Sequence, residues 1–271
     1  MKPIPYDLIA EAFSRTASAY DAFAGDHPHL SRMRSKVYAH LTRCVEAGAR
    51  IMELNAGTGT DAAALAQLGY HVHATDIAPG MLQRLQNKVE KQALGDRVTY
   101  EQRSFLELED VPGAPFDAVF SDLGGLNCVP DLSPIIQQLP KVLRPGGVVT
   151  WVLMPRVCPW EMAEVFRGQL RLAFRRFSPK GTFAHLEGIH FPVYYFPARQ
   201  VIDGFGKDYQ LLALEGLSVL VPTAESKNFA RHHHKIYSFL CKLDDRLASR
   251  PPWNGWGDFY ILSMRYQPGT T

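Results

Sequence analysis

Apolar residues recur at spacings of three and four between Ile9 and Phe23, where Ala10, Phe13, Ala17 and Tyr20 predict one face of an amphipathic helix. After Pro28 the pattern returns over Arg32–Val45, with Met33, Val37, Tyr38 and Leu41 on one side, and Gly48 ends it. The period then changes. Arg50–Leu54 is a short apolar run leading into the turn Asn55-Ala56-Gly57-Thr58-Gly59, and Asp61–Leu68 is an alanine- and leucine-rich helix stopped by Gly69. The alternation continues with a strand at His71–Thr75 ending in Asp76, a helix at Met81–Leu94 opened by Pro79, and strands at Val98–Gln102 and Phe116–Phe120. A helix through Ile135–Leu143 and a fifth strand, Val148–Met154, complete the series.

Strands that are apolar throughout and alternate with helices imply a parallel sheet covered on both faces. The expected fold is therefore a doubly wound α/β domain, with its ligand beyond the carboxyl ends of the strands. The second half is less regular. Trp160–Phe174 predicts a helix, Arg175–Gly188 is mixed and basic, and His190–Phe196 alternates as a strand. Ala198–Phe205 predicts a helix, Tyr209–Val221 a strand broken at Gly216, Phe229–Leu247 one long helix, and Asp258–Tyr266 a final strand.

Composition narrows the function classes. The 271 residues are 46% hydrophobic and 21% charged, which is globular composition, and 29 Lys and Arg against 27 Asp and Glu give a net charge of +2. That balance gives no general attraction to polyanions and argues against a nucleic-acid partner. Met1–Asp7 lacks a basic segment followed by an apolar stretch, and the most apolar run, Gly147–Met154, is far short of the roughly 20 residues that span a bilayer. A cytoplasmic protein without a membrane partner is expected. Cys44, Cys128, Cys158 and Cys241 are scattered with no paired spacing, so neither a metal cluster nor a disulfide framework is expected.

The glycine turn carries the chemistry. Glycine lets the backbone turn tightly and lets a ligand approach where a Cβ would intrude. Gly57-x-Gly59-x-x-Ala62, with Asp76 about 20 residues on, fits a dinucleotide fingerprint, and an acid at Asp76 accepts from any ribose diol. Glu53 and Asp61 flank the turn, however. A pyrophosphate prefers a helix N-terminus whose positive end is uncompensated, so these acids favour a locally cationic ligand.

Taken together, the motifs resemble the class I S-adenosylmethionine-dependent methyltransferases, in particular the small-molecule type with an Asn-x-Gly-Thr-Gly loop. Glu53-Leu54-Asn55-Ala56-Gly57-Thr58-Gly59 is similar to their first motif, and Ala74-Thr75-Asp76-Ile77-Ala78-Pro79-Gly80-Met81-Leu82 to their second. Ser104-Phe105, Phe116–Asp122 and Leu143-Arg144-Pro145-Gly146-Gly147 resemble the segments around strands three to five. The likeness covers Phe13–Met154 well and Asp258–Arg265 loosely. It departs at Asn55, where most relatives have glycine, at Ser104, where many have an acid, and in lacking Asn-Pro-Pro-Tyr after strand four.

The resemblance implies a single domain built on a seven-stranded, mostly parallel Rossmann-like sheet whose last strand is antiparallel. Residues 1–47 are expected as a helical lid, 48–154 as the cofactor-binding core, 155–197 as a substrate cap after strand five, and 198–271 as the rest of the sheet and its helix. It implies S-adenosyl-L-methionine as cofactor and S-adenosyl-L-homocysteine as product. Asp76 is then expected at the ribose, Ile77, Met81, Ser104 and Phe105 at the adenine, and Glu53, Asp61 and the backbone of Asn55, Ala56, Gly57 and Gly59 near the amino-acid end. Tyr20 is expected to reach that end from the lid, with Arg32 and Arg34 as candidates for the carboxylate. Asp122, Asn127 and Cys128 follow strand four, where the methyl group is expected, and Asp122, Leu123 and Asn127 are expected among the cofactor-binding residues.

Methyl transfer needs alignment and exclusion of water, and a base only where the acceptor carries a proton. The base candidates are His185 and His190 in the cap, since imidazole titrates near neutral pH, and Glu161 after strand five. Successive helical residues lie about 100° apart, so His232-His233-His234 does not form one metal-binding face. Arg167, Arg171, Arg175, Arg176 and Lys180, interleaved with Phe174 and Phe177, suit a phosphate, a carboxylated substrate, RNA or a solvated face. The leading expectation is methylation of a small organic acceptor at oxygen, nitrogen or carbon by a monomer or homodimer. Its rivals are an RNA or protein methyltransferase, a non-catalytic adenosylmethionine-binding module, and an NAD-dependent oxidoreductase.

Overall fold

A computed structural model describes residues 6–25, 27–226 and 228–269. Met1–Pro5, most of the segment read above for a leader, lie outside the described residues. Two helices open the chain, α1 (Tyr6–Gly25) and α2 (Pro28–Cys44). Then β1 (Arg50–Leu54), α3 (Thr60–Gln67), β2 (His71–Asp76), α4 (Pro79–Lys91), β3 (Val98–Gln102) and β4 (Phe116–Ser121) follow in the expected alternation. Short helices α5 (Ser133–Ile136) and α6 (Leu139–Val142) lead into β5 (Leu143–Leu153). The cap contains α7 (Pro159–Met162), α8 (Leu170–Ala173) and a hairpin of β6 (Thr182–Leu186) with β7 (Ile189–Val193). The chain closes with α9 (Ala198–Phe205), β8 (Tyr209–Leu217), α10 (Phe229–His232), α11 (His234–Leu247) and β9 (Phe259–Tyr266).

The seven-stranded sheet has the order β3-β2-β1-β4-β5-β9-β8. The first five strands are parallel, and β9 runs antiparallel to both β5 and β8, as expected for the last strand. Chain direction through the sheet reverses between β1 and β4, so their carboxyl ends flank a crevice. Alternation along each strand feeds two cores. Ile51, Val72, Phe120 and Ile261 pack with α2, α3 and α4 on one face. Met52, Val119, Trp151 and Leu262 pack with α5, α6 and α9 on the other.

Three expected helices are interrupted. Pro140 has no N–H to continue a helix, and Ile135–Leu143 divides into α5 and α6. Gly168, at φ 75°, breaks Trp160–Phe174. His233 adopts φ −127° and ψ 45°, separating α10 from α11 within a run of three histidines of modest helix propensity. The basic stretch after Arg175 contains β6, the unforeseen partner of β7, and Gly188 at φ 79° makes the turn between them.

One polar network ties α2 to the antiparallel edge. His40, fully buried, lies 3.0 Å from Ser263 Oγ and 3.1 Å from Glu215 Oε2, and Arg43 donates to the same Glu215 oxygen at 2.7 Å. Burial alone would raise the Glu215 carboxyl, but His40, Lys36 and Arg43 bring it down to about 2. A depressed carboxyl stabilises the folded state above its ordinary value of 4.5, and that contribution fades as the pH falls toward about 2. Glu215→Gln is therefore expected to cost about 1–3 kcal/mol at neutral pH and less in acid. Urea unfolding at neutral and acidic pH reads the difference, and an equal loss at both would contradict it.

Candidate active site

The glycine turn follows β1 as expected, and each residue in it has a definite task. Asn55 sits at φ 49°, a left-handed conformation that asparagine tolerates better than most residues. Its side-chain amide donates to Asp122 O at 3.3 Å and accepts from Ser121 Oγ at 2.7 Å, joining the ends of β1 and β4. The atoms of that amide occupy the space where a Cβ on Gly125 would stand. Gly57, at φ 56°, has open space where its Cβ would be, and it borders the pocket. Gly59 does something else. A Cβ there would lie 2.6 Å from Leu85 Cγ, and the residue packs against α4 without lining the pocket.

The pocket lies over the crevice between β1 and β4. At one end Asp76 is held by N–H groups, Gly57 N donating to Oδ2 and Ala78 N to Oδ1, both at 2.8 Å. Ile77, Met81, Ser104 and Phe105 surround this end, and Arg103 joins them. Ser104 Oγ accepts from Leu106 N at 3.2 Å, which shapes the turn after β3.

At the other end lies a cluster of carboxylates. Arg34 Nε donates to Asp61 Oδ1 at 3.0 Å, and the Tyr38 hydroxyl donates to the same oxygen. Leu123 N donates to Asp122 Oδ1 at 2.8 Å. Among the described residues no donor faces Glu53 Oε2 or Asp122 Oδ2, although both are buried. Burial first, then the Asp61 charge, pushes the carboxyls of Glu53 and Asp122 well above their usual range, and Arg34 only partly opposes this. Raised carboxyls hold their protons more tightly than free ones do, and a nearby cation lowers them. Asp61 and Asp122 line the pocket, while Glu53 is buried among them without lining it.

The lid closes one side. Tyr20 and Phe13 on α1 line the pocket together with Tyr6 and Ile9. Gly80 lets α1 approach α4, since a Cβ there would lie 2.7 Å from Ser14 O, and Gly80 N donates to Ser14 Oγ at 3.2 Å. Thr58 Oγ1 donates to Asp21 at 2.5 Å, and Lys88 Nζ lies 3.1 Å from the Asp21 carboxylate. Thus α1 is fastened to both the glycine turn and α4.

Several expected residues stand elsewhere. His185 and His190 face each other across the hairpin, ring centroids 4.5 Å apart, on its exposed side, and neither lines the pocket. Strand alternation explains this, since Ala184, Phe191 and Val193 take the inward side against α1. Glu161 is corrected as well. Its carboxylate receives Arg175 Nε at 2.9 Å and Arg176 Nη2 at 2.6 Å, which hold it below its usual range against the effect of burial. Arg176 also donates to Asp258 Oδ1 at 2.8 Å, so it fills the space where Cys158, Glu161 and Asp258 bring possible ligand atoms within 4.8 Å of one another. Asn127 turns away from the pocket, donating to Tyr194 O at 2.6 Å and accepting from Met154 N at 3.0 Å. Arg32 pairs with Asp244 and Asp245, whereas Arg34 lines the pocket beside Asp61.

Sequence reasoning missed Tyr6, Ile9, Thr60 and Gly124. Tyr6 precedes the apolar repeat used to define the first helix, and Gly124 at φ 79° belongs to a turn that no motif marks. Cys128, also at the pocket, is buried, and its thiol is pushed up to about 12.

A doubly wound sheet with an antiparallel last strand, a glycine turn after β1 and an acid ending β2 defines the class I methyltransferase architecture. Residues 51–147 match a family described as a methyltransferase domain. It is 35% identical over 142 residues to a demethylmenaquinone methyltransferase of Clavibacter sepedonicus, covering 51% of this chain and 55% of that protein. The chain thus spans about half the length of the curated relatives it matches. Among solved structures, the [4+2]-cyclase SpnF superposes with a TM-score of 0.61 at 15% identity, covering 96% of this chain and 95% of that one. A 1,6-didemethyltoxoflavin-N1-methyltransferase of Burkholderia thailandensis, solved with S-adenosylhomocysteine, gives a TM-score of 0.56 at 15% identity, covering 97% and 88%.

The contact between Asn55 and Gly125 makes a sharp prediction. Gly125→Ala is expected to destabilise the fold by about 1–3 kcal/mol through overpacking. Asn55→Gly removes the obstruction, so the double variant should recover much of the Gly125→Ala loss in chemical unfolding. Additive losses would show that the two residues do not compete for one space.

Proposed function

We propose that the protein transfers a methyl group from S-adenosyl-L-methionine to a small organic acceptor, releasing S-adenosyl-L-homocysteine. The observation that carries this reading is the buried group of Glu53, Asp61 and Asp122 set against Arg34, with carboxylate oxygens that meet no donor among the described residues. An ammonium supplies the missing positive charge and the missing donors. In this reading Asp122 receives the ammonium, with Glu53 behind it supplying further negative charge, Arg34 receives the carboxylate and Asp76 the ribose hydroxyls, while Ile77, Met81 and Phe105 flank the adenine. When bound, the cofactor supplies an electrophilic methyl group on a sulfonium.

Tyr6, Ile9, Phe13 and Cys128 then face the acceptor, an apolar and aromatic surface that excludes water. The raised thiol of Cys128 and the raised phenol of Tyr6 keep their protons at neutral pH, so these groups orient the acceptor without deprotonating it. The reading keeps 1–47 as lid, 48–154 as cofactor core, 155–197 as cap and 198–271 as the closing part of the sheet. It also keeps a cytoplasmic monomer or homodimer. Among the described residues no helix is long and apolar enough to cross a membrane. A dinucleotide is disfavoured because its pyrophosphate would meet three carboxylates. RNA is disfavoured because Arg167, Arg175 and Arg176 are committed to Glu164 and Glu161.

Titration calorimetry with three ligands tests this. Adenosylmethionine should bind and NAD should not. Glu53→Gln should weaken adenosylmethionine by about 1–3 kcal/mol while leaving 5′-methylthioadenosine, which lacks the amino-acid end, unchanged. Asp76→Asn should weaken both. NAD binding, or an equal effect of Glu53→Gln on both adenosyl ligands, would overturn the assignment. Since the [4+2]-cyclase shares this fold, transfer itself is read separately, by labelled methyl appearing in extracted small molecules.

A further inference from the structure

The cap carries a surface that the site leaves unused. Of the large apolar side chains exposed on the described chain, Phe166, Leu170, Phe174, Phe177 and Phe183 all fall between residues 155 and 197. Phe166 is 91% and Phe183 75% exposed, values that leave these rings standing out from the surface. The inward side of the same segment is fully employed, with Phe191, Val193 and Tyr195 packed toward α1 and Arg176 bolted to Glu161 and Asp258. The outward rings are thus additional to what holds the cap in place.

Charge accompanies them. The segment has six basic residues and three acids. Two of the acids, Glu161 and Glu164, are paired with arginines of the same segment, and Arg171 and Lys180 stand exposed among the phenylalanines. Arg167 and His232 line one groove, which brings the start of the C-terminal helices against the cap, and α11 carries Ile236 and Phe239, 54% and 63% exposed, with Lys235 and Lys242 also exposed.

We propose that this face docks on an anionic lipid bilayer. Protruding phenylalanines flanked by Arg and Lys match the boundary between headgroups and acyl chains, where rings enter the apolar layer and the cations stay at the phosphates. A protein partner would need a hollow for each ring, whereas a fluid interface accepts them wherever they stand. The negative surface also complements the cap's excess of basic charge. Docking of this kind needs no spanning helix, and it revises the expectation of a protein without a membrane partner. It stands independently of the transferred group.

Flotation of the full chain with vesicles tests it, comparing phosphatidylglycerol and phosphatidylcholine in equal parts with phosphatidylcholine alone. The chain should float with the anionic vesicles, much less with the neutral ones, and release at high salt. Arg171→Gln with Lys180→Gln should weaken the partition by roughly an order of magnitude, since each charge near the surface contributes about fivefold. Phe166→Ser with Phe183→Ser should do so by about as much. All four positions are exposed, so unchanged thermal unfolding verifies the fold of each variant. Failure of the folded chain to float with anionic vesicles, or binding indifferent to both pairs, would overturn the proposal. So would sedimentation showing a dimer that the phenylalanine pair dissolves, which would give this face to a second copy of the chain.

Discussion

Three carboxyl groups closed off from water against a single guanidinium set the terms for the elements around them. Burying an unpaired charge costs several kcal/mol, so folded chains avoid it unless something compensates. Here Glu53 ends β1, Asp122 follows β4 and Asp61 opens α3, while Arg34 and Tyr38 reach in from α2. The reversal of strand order between β1 and β4, which run parallel side by side, brings the first two together. Burial and the neighbouring negative charge raise the carboxyls of Glu53 and Asp122, which lowers the cost of holding them there. A bound cation removes the reason for the raised values. In the proposed reading, ligand binding and proton loss are therefore linked.

The surrounding devices follow from this demand. Asn55 fixes the distance between the β1 and β4 ends, which a glycine in its place would leave unlinked. Gly80 lets α1 lie on α4, and Asp21, Thr58 and Lys88 fasten the lid to the turn that bears the acids. The cap is held by other means, through Arg176 between Glu161 and Asp258, and Asn127 binds it to the end of β5. The N-terminal helix beside the pocket and the cap thus have independent attachments.

The first half of the fold was legible in sequence because each local signal agreed with its neighbours. Apolar strands, Gly69 after α3, Pro79 before α4 and Asp76 at the end of β2 all support the same alternation. Part of the pocket's lining was legible for a related reason, since those residues come from turns whose backbone geometry restricts the choice of residue. Gly59 shows the limit, because a motif does not tell a glycine that faces a ligand from one that admits Leu85. The cap was poorly legible. His185, His190 and Glu161 were chosen by chemical type, but strand alternation turns the histidines outward and two nearby arginines capture the acid. Those partners are set by tertiary approach, which has no local signature. Tyr6 and Ile9 were missed because their role depends on where α1 docks.

The central claim is that the buried carboxyls exchange a proton for the cofactor's ammonium. The most direct test is calorimetric titration with adenosylmethionine in buffers of different ionisation enthalpy, below the α-amino group's own pKa of about 7.7–8.0. Because the carboxyls of Glu53 and Asp122 are raised in the free protein and lowered by a cation, binding should release protons to the buffer. Affinity should also rise with pH over that range. Binding that takes up protons, or exchanges none and is indifferent to pH, would contradict the account.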